Sequence, residues 1–163
     1  MNFDYKKRNY TIAVDTREKK PILFPECVET IKEALNPGDY SVIGYEKKMA
    51  IERKSVDDYI TCIVNFKHIA SQIKRLKDVD YRMILVTGSY MECMHKLEEK
   101  FYLYKKTTFK QFNSVLHYAE RLGVTVYFIE EQLTPLFIIN QFDTWLKWLK
   151  EEEKNKDYLK YRI

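Results

Sequence analysis

Asn36-Pro-Gly-Asp-Tyr-Ser-Val-Ile-Gly-Tyr-Glu-Lys-Lys-Met-Ala-Ile-Glu-Arg-Lys-Ser-Val-Asp-Asp58 is the stretch on which the fold turns. Tyr40 to Ile43 alternate in β-favouring residues, Gly44 to Lys48 make a polar turn, and Met49 to Ile51 resume an apolar run. This is the pattern of a hairpin. Asp39 opens its first strand and Glu52, Arg53 and Lys54 close its second, so pairing brings the two charged ends together. The side-chain period of two puts Glu52 and Lys54 on one face and Arg53 on the other.

An aspartate beside Glu-x-Lys is the smallest set able to support metal-assisted phosphodiester cleavage. Carboxylates hold a hard cation such as Mg²⁺ through oxygen. Such an ion polarises a phosphate oxygen and lowers the pKa of a bound water, and an ammonium orients that water or stabilises charge developing at phosphorus. A surface hairpin with a Glu/Lys ladder accounts for the same residues with no chemistry at all. The hairpin alone leaves both readings open.

Working outward, 163 residues with 45% hydrophobic and 32% charged content suit one globular domain with its own core. The net charge of +4 permits a polyanionic partner without requiring one. Cys27, Cys62 and Cys93 form no Cys-x-x-Cys, so neither a disulfide framework nor a zinc site is indicated, and reduced thiols of an intracellular, cytoplasmic protein are expected. His68, His95 and His117 show no ligand spacing. No apolar run reaches membrane-spanning length, and the N-terminus carries charges where a signal peptide needs apolar residues.

Residues 1–9 read as a loosely held basic lead-in, followed by a strand over Tyr10 to Val14 that runs into Asp15-Thr16-Arg17-Glu18. Val28 to Ala34 is expected to make one or two helical turns. Ser55 is the expected N-cap of a helix, with Asp58 at its N3 position, and apolar spacing carries that helix on to about Lys77. Tyr81 to Val86 and Val124 to Ile129 are continuous apolar runs, expected as strands buried on both faces. Residues 90 to 104 read as a helix or lid, Thr108 to Leu122 as a helix closed by Gly123, and Leu133 to Lys154 as a final helix. That helix is apolar over most of its circumference, which fits either burial or an aromatic face docking a second subunit.

Four blocks, Val14-Asp-Thr-Arg-Glu18, Gly38-Asp-Tyr40, Glu52-Arg-Lys54 with Asp58, and Gln72-Ile-Lys-Arg-Leu76, stand in the order and spacing of the XPF-type nuclease domain. The resemblance covers about residues 10–132, and in core that domain is similar to the PD-(D/E)XK restriction-endonuclease fold. It implies an α/β architecture with a mixed central sheet of about five or six strands and flanking helices, with residues 133–163 part of the same domain. By this resemblance Asp39, Glu52, Asp15 and Glu18 are similar to metal ligands, for Mg²⁺ or Mn²⁺. Lys54 resembles the family's catalytic lysine, Arg53 its arginine and Asp58 its last motif position. Arg17, Lys67, His68, Gln72 and Arg75 are the expected DNA contacts.

Two departures stand out. Phe66-Lys67-His68 replaces the Gly-Arg pair usual before the glutamine, leaving Lys67 or His68 to meet a phosphate. The helix-hairpin-helix domain usual in the family is not expected within these residues, since its turns need glycines and Gly123 is the only one after Gly88. The resemblance therefore implies a Mg²⁺-dependent, structure-selective DNA endonuclease cutting near junctions in forks, flaps or four-way junctions, in repair or recombination. A homodimer or a heteromeric partner is expected with it. Nothing resembles a base-reading recognition helix, so shape and backbone would select the substrate. The alternatives are a catalytically silent junction-binding or scaffolding subunit and a Holliday-junction resolvase.

Overall fold

A computed structural model describes residues 6–104 and 109–160, without the side chains of 100–104 and 156–160. Its centre is a six-stranded sheet formed by β1 (Thr11–Asp15), β2 (Glu29–Glu33), β3 (Tyr40–Val42), β4 (Met49–Ser55), β5 (Tyr81–Thr87) and β6 (Thr125–Ile129), in the order β2-β1-β3-β4-β5-β6. β1 pairs parallel with β2, β4 with β5, and β5 with β6, while β3 is antiparallel to both its neighbours. All strands except β3 therefore run the same way. The ends of β1 and β4 and the start of β3 meet at one edge, the carboxyl edge where α/β sheets hold their ligands.

Two apolar layers cover the sheet, as continuous apolar strands require. On one face α1 (Val56–Val64), α2 (Phe66–Leu76), α3 (Tyr90–Tyr104) and α4 (Phe109–Arg121) pack, and Tyr59, Ile63, Ile69, Ile73, Phe112 and Val115 meet Ala50, Ile84 and Val86. On the other, α5 (Thr134–Lys160), preceded by a 3₁₀ turn Glu131–Leu133, lays Ile138, Ile139, Phe142, Trp145 and Leu149 on Ile12, Val42, Met49, Ile51 and Leu85. Alternation along β4 and β5 sends neighbouring residues to opposite layers.

Three expectations are corrected. Val28 to Ala34 is not helical: Glu29–Glu33 pairs residue for residue with β1 as an edge strand. Its side chains are all exposed, so it carries no alternation to read, and the bare edge of β1 is what orders it. The helix expected from Val56 to Lys77 is two helices broken at Asn65, whose φ and ψ are −105° and 74°. Val56, Tyr59, Ile60 and Ile63 would continue in phase to Phe66, Lys67, Ala70 and Lys74, whereas the buried positions are Ile69, Ile73 and Leu76. The apolar phase slips, and the break restores it. Finally, Arg8 in the basic lead-in is not loose, because its guanidinium binds Asp143 of α5 at 3.0 and 3.2 Å. Among the described residues no helix is long and apolar enough to cross a membrane.

Candidate active site

The site grows from the corner at Gly38, which follows a cis Asn36-Pro37 bond and has φ of 94°. A Cβ there would stand 3.1 Å from Ala50 Cβ and 3.2 Å from the Ile51 carbonyl oxygen, so only glycine lets the chain pass this close to β4. Asp39 is thereby laid along β4. Its N–H donates to the Ile51 carbonyl at 2.8 Å and its Oδ2 accepts the Arg53 N–H at 2.7 Å. Glu52 Oε1, on the α1–α4 side of the sheet, accepts from Lys54 Nζ at 3.2 Å and from Gln72 Nε2 of α2 at 2.9 Å. Lys54 is only 6% exposed, and the pairing compensates for burying its charge.

Asp39 and Glu52 sit together on the wall between two lobes of one cleft. The smaller lobe, about 380 Å³, is lined also by Glu18, Lys19, Lys20 and Asp58, and the larger, about 620 Å³, by Asn36, Gln72 and Arg75. Arg17 borders both. Burial, and then the charge of Glu52, push the Asp39 carboxyl up to about 7, with Glu18 adding to the rise and the Arg53 N–H and Lys54 opposing it. Among the described residues no hydrogen-bond donor meets Asp39 Oδ1 or Glu52 Oε2.

These two oxygens suit a hard divalent cation, whose charge would relieve the crowding that raises Asp39. No cage of three or more His, Cys, Asp or Glu side chains occurs among the described residues. A pair of carboxylates that leaves the remaining positions to water and phosphate is the habit of Mg²⁺.

The other expected site residues divide. Asp15, at the end of β1, is 1% exposed and uses both oxygens inside the protein. Oδ1 accepts Arg17 N–H and Nε–H at 2.7 and 2.8 Å, and Oδ2 accepts Arg17 Nη2–H at 3.0 Å and Leu35 N–H at 2.8 Å. The Arg17 bonds, helped by the backbone N–H groups, hold its carboxyl below the usual carboxylate range. It buttresses the loop that carries Arg17 and Glu18 and is not brought into the cleft wall. Glu18 is brought there, with Oε1 on the Lys20 N–H at 2.8 Å and Oε2 on Arg53 Nη1 at 3.2 Å. Arg53 thus lies across the sheet from Lys54, as the strand period requires, and its buried Nε finds no partner among the described residues.

Asp58 lines the smaller lobe and also closes the helix cap, its N–H donating to Ser55 Oγ at 3.1 Å and its Oδ2 accepting from that hydroxyl at 2.7 Å. His68 lines a third cavity, about 270 Å³, with Arg53, Lys54, Asp58, Thr61, Cys62 and Asn65. Lys67 is exposed and lines none of these cavities. Sequence reasoning missed the Gln72 clamp on Glu52 and the place of Lys19 and Lys20 in the cleft. The clamp depends on the break at Asn65, which rotates α2. The two lysines are indistinguishable in sequence from a solvated pair, and nothing local to them signals a cleft.

The ERCC4 domain model matches residues 14–155. A protein of Methanocaldococcus jannaschii described as a putative ATP-dependent RNA helicase is 30% identical over 91 residues, which are 55% of this chain and 11% of that protein, so the chain spans about a tenth of that relative. XPF from Aeropyrum pernix in complex with DNA superposes with a TM-score of 0.62 at 18% identity, covering 85% of this chain and 66% of that one. The structure of XPF from Aeropyrum pernix described without DNA gives 0.61 at 19%, covering 82% and 60%. With the family model spanning nearly all of the sheet and α5, the chain belongs to the ERCC4 domain family, and it shares its fold with XPF.

Proposed function

We propose that this chain is a metal-dependent DNA endonuclease that hydrolyses phosphodiester bonds near junctions in branched DNA. The observation that supports this most is the convergence of Asp39 and Glu52 on one wall of a cleft rimmed by Arg17, Lys19, Lys20 and Arg75, with Lys54 bound to Glu52 from the neighbouring cavity. A divalent cation on Asp39 and Glu52 would supply Lewis acidity toward a phosphate oxygen and an activated water. The protein's own part is to place the strand. Gln72 and Lys54 fix the rotamer of Glu52, and the ammonium of Lys54 offers positive charge to the reacting phosphate. The cationic rim neutralises the neighbouring backbone, a sequence-independent attraction suited to selection by shape.

The deciding experiment compares end-labelled fork, flap, four-way-junction, single-stranded and linear duplex DNA with Mg²⁺, Mn²⁺ or EDTA, using wild type, Asp39→Asn and Glu52→Gln. Metal-dependent cuts near a junction, reduced at least ~100-fold in both variants, are expected from loss of the electrostatic centre. Paired symmetric cuts confined to four-way junctions would make it a resolvase. Junction binding with no cutting in any metal would make it a binding subunit and end the endonuclease reading.

The homodimer belongs to the same proposal. Most of the apolar face of α5 is core, but Trp148 and, in the turn before the helix, Leu133 remain 49% and 47% exposed. Light scattering should give twice the chain mass, and Leu133→Glu with Trp148→Glu should halve it; a wild-type monomer at all concentrations removes the dimer.

A further inference from the structure

We propose that α2 is the helix along which the cleaved strand runs, and that the 270 Å³ cavity beside Lys54 receives a backbone phosphate flanking the scissile one, recognised by His68. This rests on the endonuclease reading above.

His68, Gln72 and Arg75 occupy positions i, i+4 and i+7 of α2, so they form one stripe on the helix. Gln72, in the middle, is tied to Glu52 at 2.9 Å. The two outer members open into different cavities: His68 into the one with Lys54 and Arg53, Arg75 into the large lobe with Arg17. At 1.5 Å per residue they stand roughly 10 Å apart along the axis. That is about three nucleotide steps of 3.4 Å in one strand. A strand whose reacting phosphate lies at Glu52 therefore meets a side-chain donor on each side.

The break at Asn65 is what gives His68 this place. The His68 N–H donates to the Asn65 carbonyl at 3.0 Å and the Asn65 N–H to the Thr61 carbonyl at 3.1 Å, so the first turn of α2 is pinned to the last turn of α1. Lys54 lines the cavity with one carboxylate, Asp58, an oxygen of which is already engaged by Ser55, while the Arg53 guanidinium turns to Glu18 on the other face of the sheet. The Lys54 ammonium and the His68 ring N–H are the side-chain donors it offers a phosphodiester. Lys67, a turn of about 100° away from His68, is exposed and outside the cavity. Both are exposed, but of the two only His68 borders the cavity.

The test is fluorescence anisotropy of a labelled fork in EDTA, with the full chain carrying His68→Ala, His68→Gln, Arg75→Ala or, as a control on the exposed face of α5, Lys147→Ala. Steady-state cleavage in Mg²⁺ accompanies it. Neutral methylphosphonate linkages are scanned singly along the cut strand. His68→Ala and Arg75→Ala should each weaken binding 5- to 10-fold and raise KM with kcat within about twofold, and Lys147→Ala should match wild type. His68→Gln, which keeps an N–H donor, should recover most of the loss. One methylphosphonate position should weaken wild type and leave His68→Ala unaffected, a signature that a merely structural role for His68 would not produce. Wild-type affinity in His68→Ala, or a loss with the interference pattern unchanged, overturns the subsite while the nuclease stands. A wild type that neither binds nor cuts DNA removes both.

Discussion

Asp39 carries the most consequential single interaction. Its folded pKa of about 7 lies above the unfolded value of 3.8, so the metal-free protein binds an extra proton on folding between those limits. Stability contributed by that proton is complete below about pH 4 and lost as pH rises to about 7. Thermal melts of metal-free protein should fall by roughly 10 °C over this window, a divalent cation should restore the loss above pH 7, and Asp39→Asn should flatten the profile. A flat wild-type profile in EDTA would show that Asp39 is not crowded. Gln72 gives a further prediction. Gln72→Leu removes the 2.9 Å bond to Glu52 while keeping the volume, so kcat should drop about 10-fold with the melting temperature nearly unchanged. The carboxylates and Lys54 were legible because charge on an apolar strand is costly and calls for a reason. Gln72 was not, since an amide at one helix position says nothing about what faces it.

Among the elements, the junction between β5 and α1 is the tightest. Gly88 has φ of 144°, and a Cβ there would overlap Val56 Cγ2 at the first turn of α1. Gly88→Ala should destabilise by about 3 kcal/mol, through strain and by displacing the turn that follows Lys54 and Ser55. Chemical denaturation measures it, and a change below about 0.5 kcal/mol would show that α1 can retreat. Element type was readable wherever side chains are buried, as in Tyr81 to Val86, and failed at β2. Exposed on every residue, β2 is held by backbone pairing with β1. The α1/α2 break was present in the sequence as a phase slip at Phe66 and Lys67, but a continuous stripe was the simpler pattern.

On the scale of the whole molecule, α5 ties the chain's beginning to its end. Asp143 accepts from Arg8 at 3.0 and 3.2 Å and from the Tyr10 hydroxyl at 2.9 Å. Burial and the bond to Asp143 drive the Tyr10 hydroxyl well above its ordinary pKa, so it donates throughout the physiological range. Asp143→Ala removes its bonds to Arg8 and to the Tyr10 hydroxyl and should cost about 2 kcal/mol. Hydrogen exchange should quicken in β1 and α5 together; unchanged protection in β1 would mean the network does not brace the sheet. The aromatic character of α5 was visible in sequence, but its occupant was not. Tyr81 stacks on Trp145 with ring centroids 5.7 Å apart, so much of that face is filled by the chain's own sheet.

By itself the sequence determined the residue types and their local spacing: Gly38 before Asp39, Glu52 and Lys54 on one strand face, Ser55 capping a helix, and apolar runs that had to be buried. These follow from the period of a strand or helix and from the cost of burying charge, which act over a few residues. Tertiary structure alone decided that Asp15 is spent on Arg17 and Leu35 while Asp39 stands open, that Gln72 clamps Glu52, and that His68 rather than Lys67 borders Lys54. Those outcomes depend on which strands become neighbours and where α2 turns, and pairings between distant segments are set by the packing of the whole core.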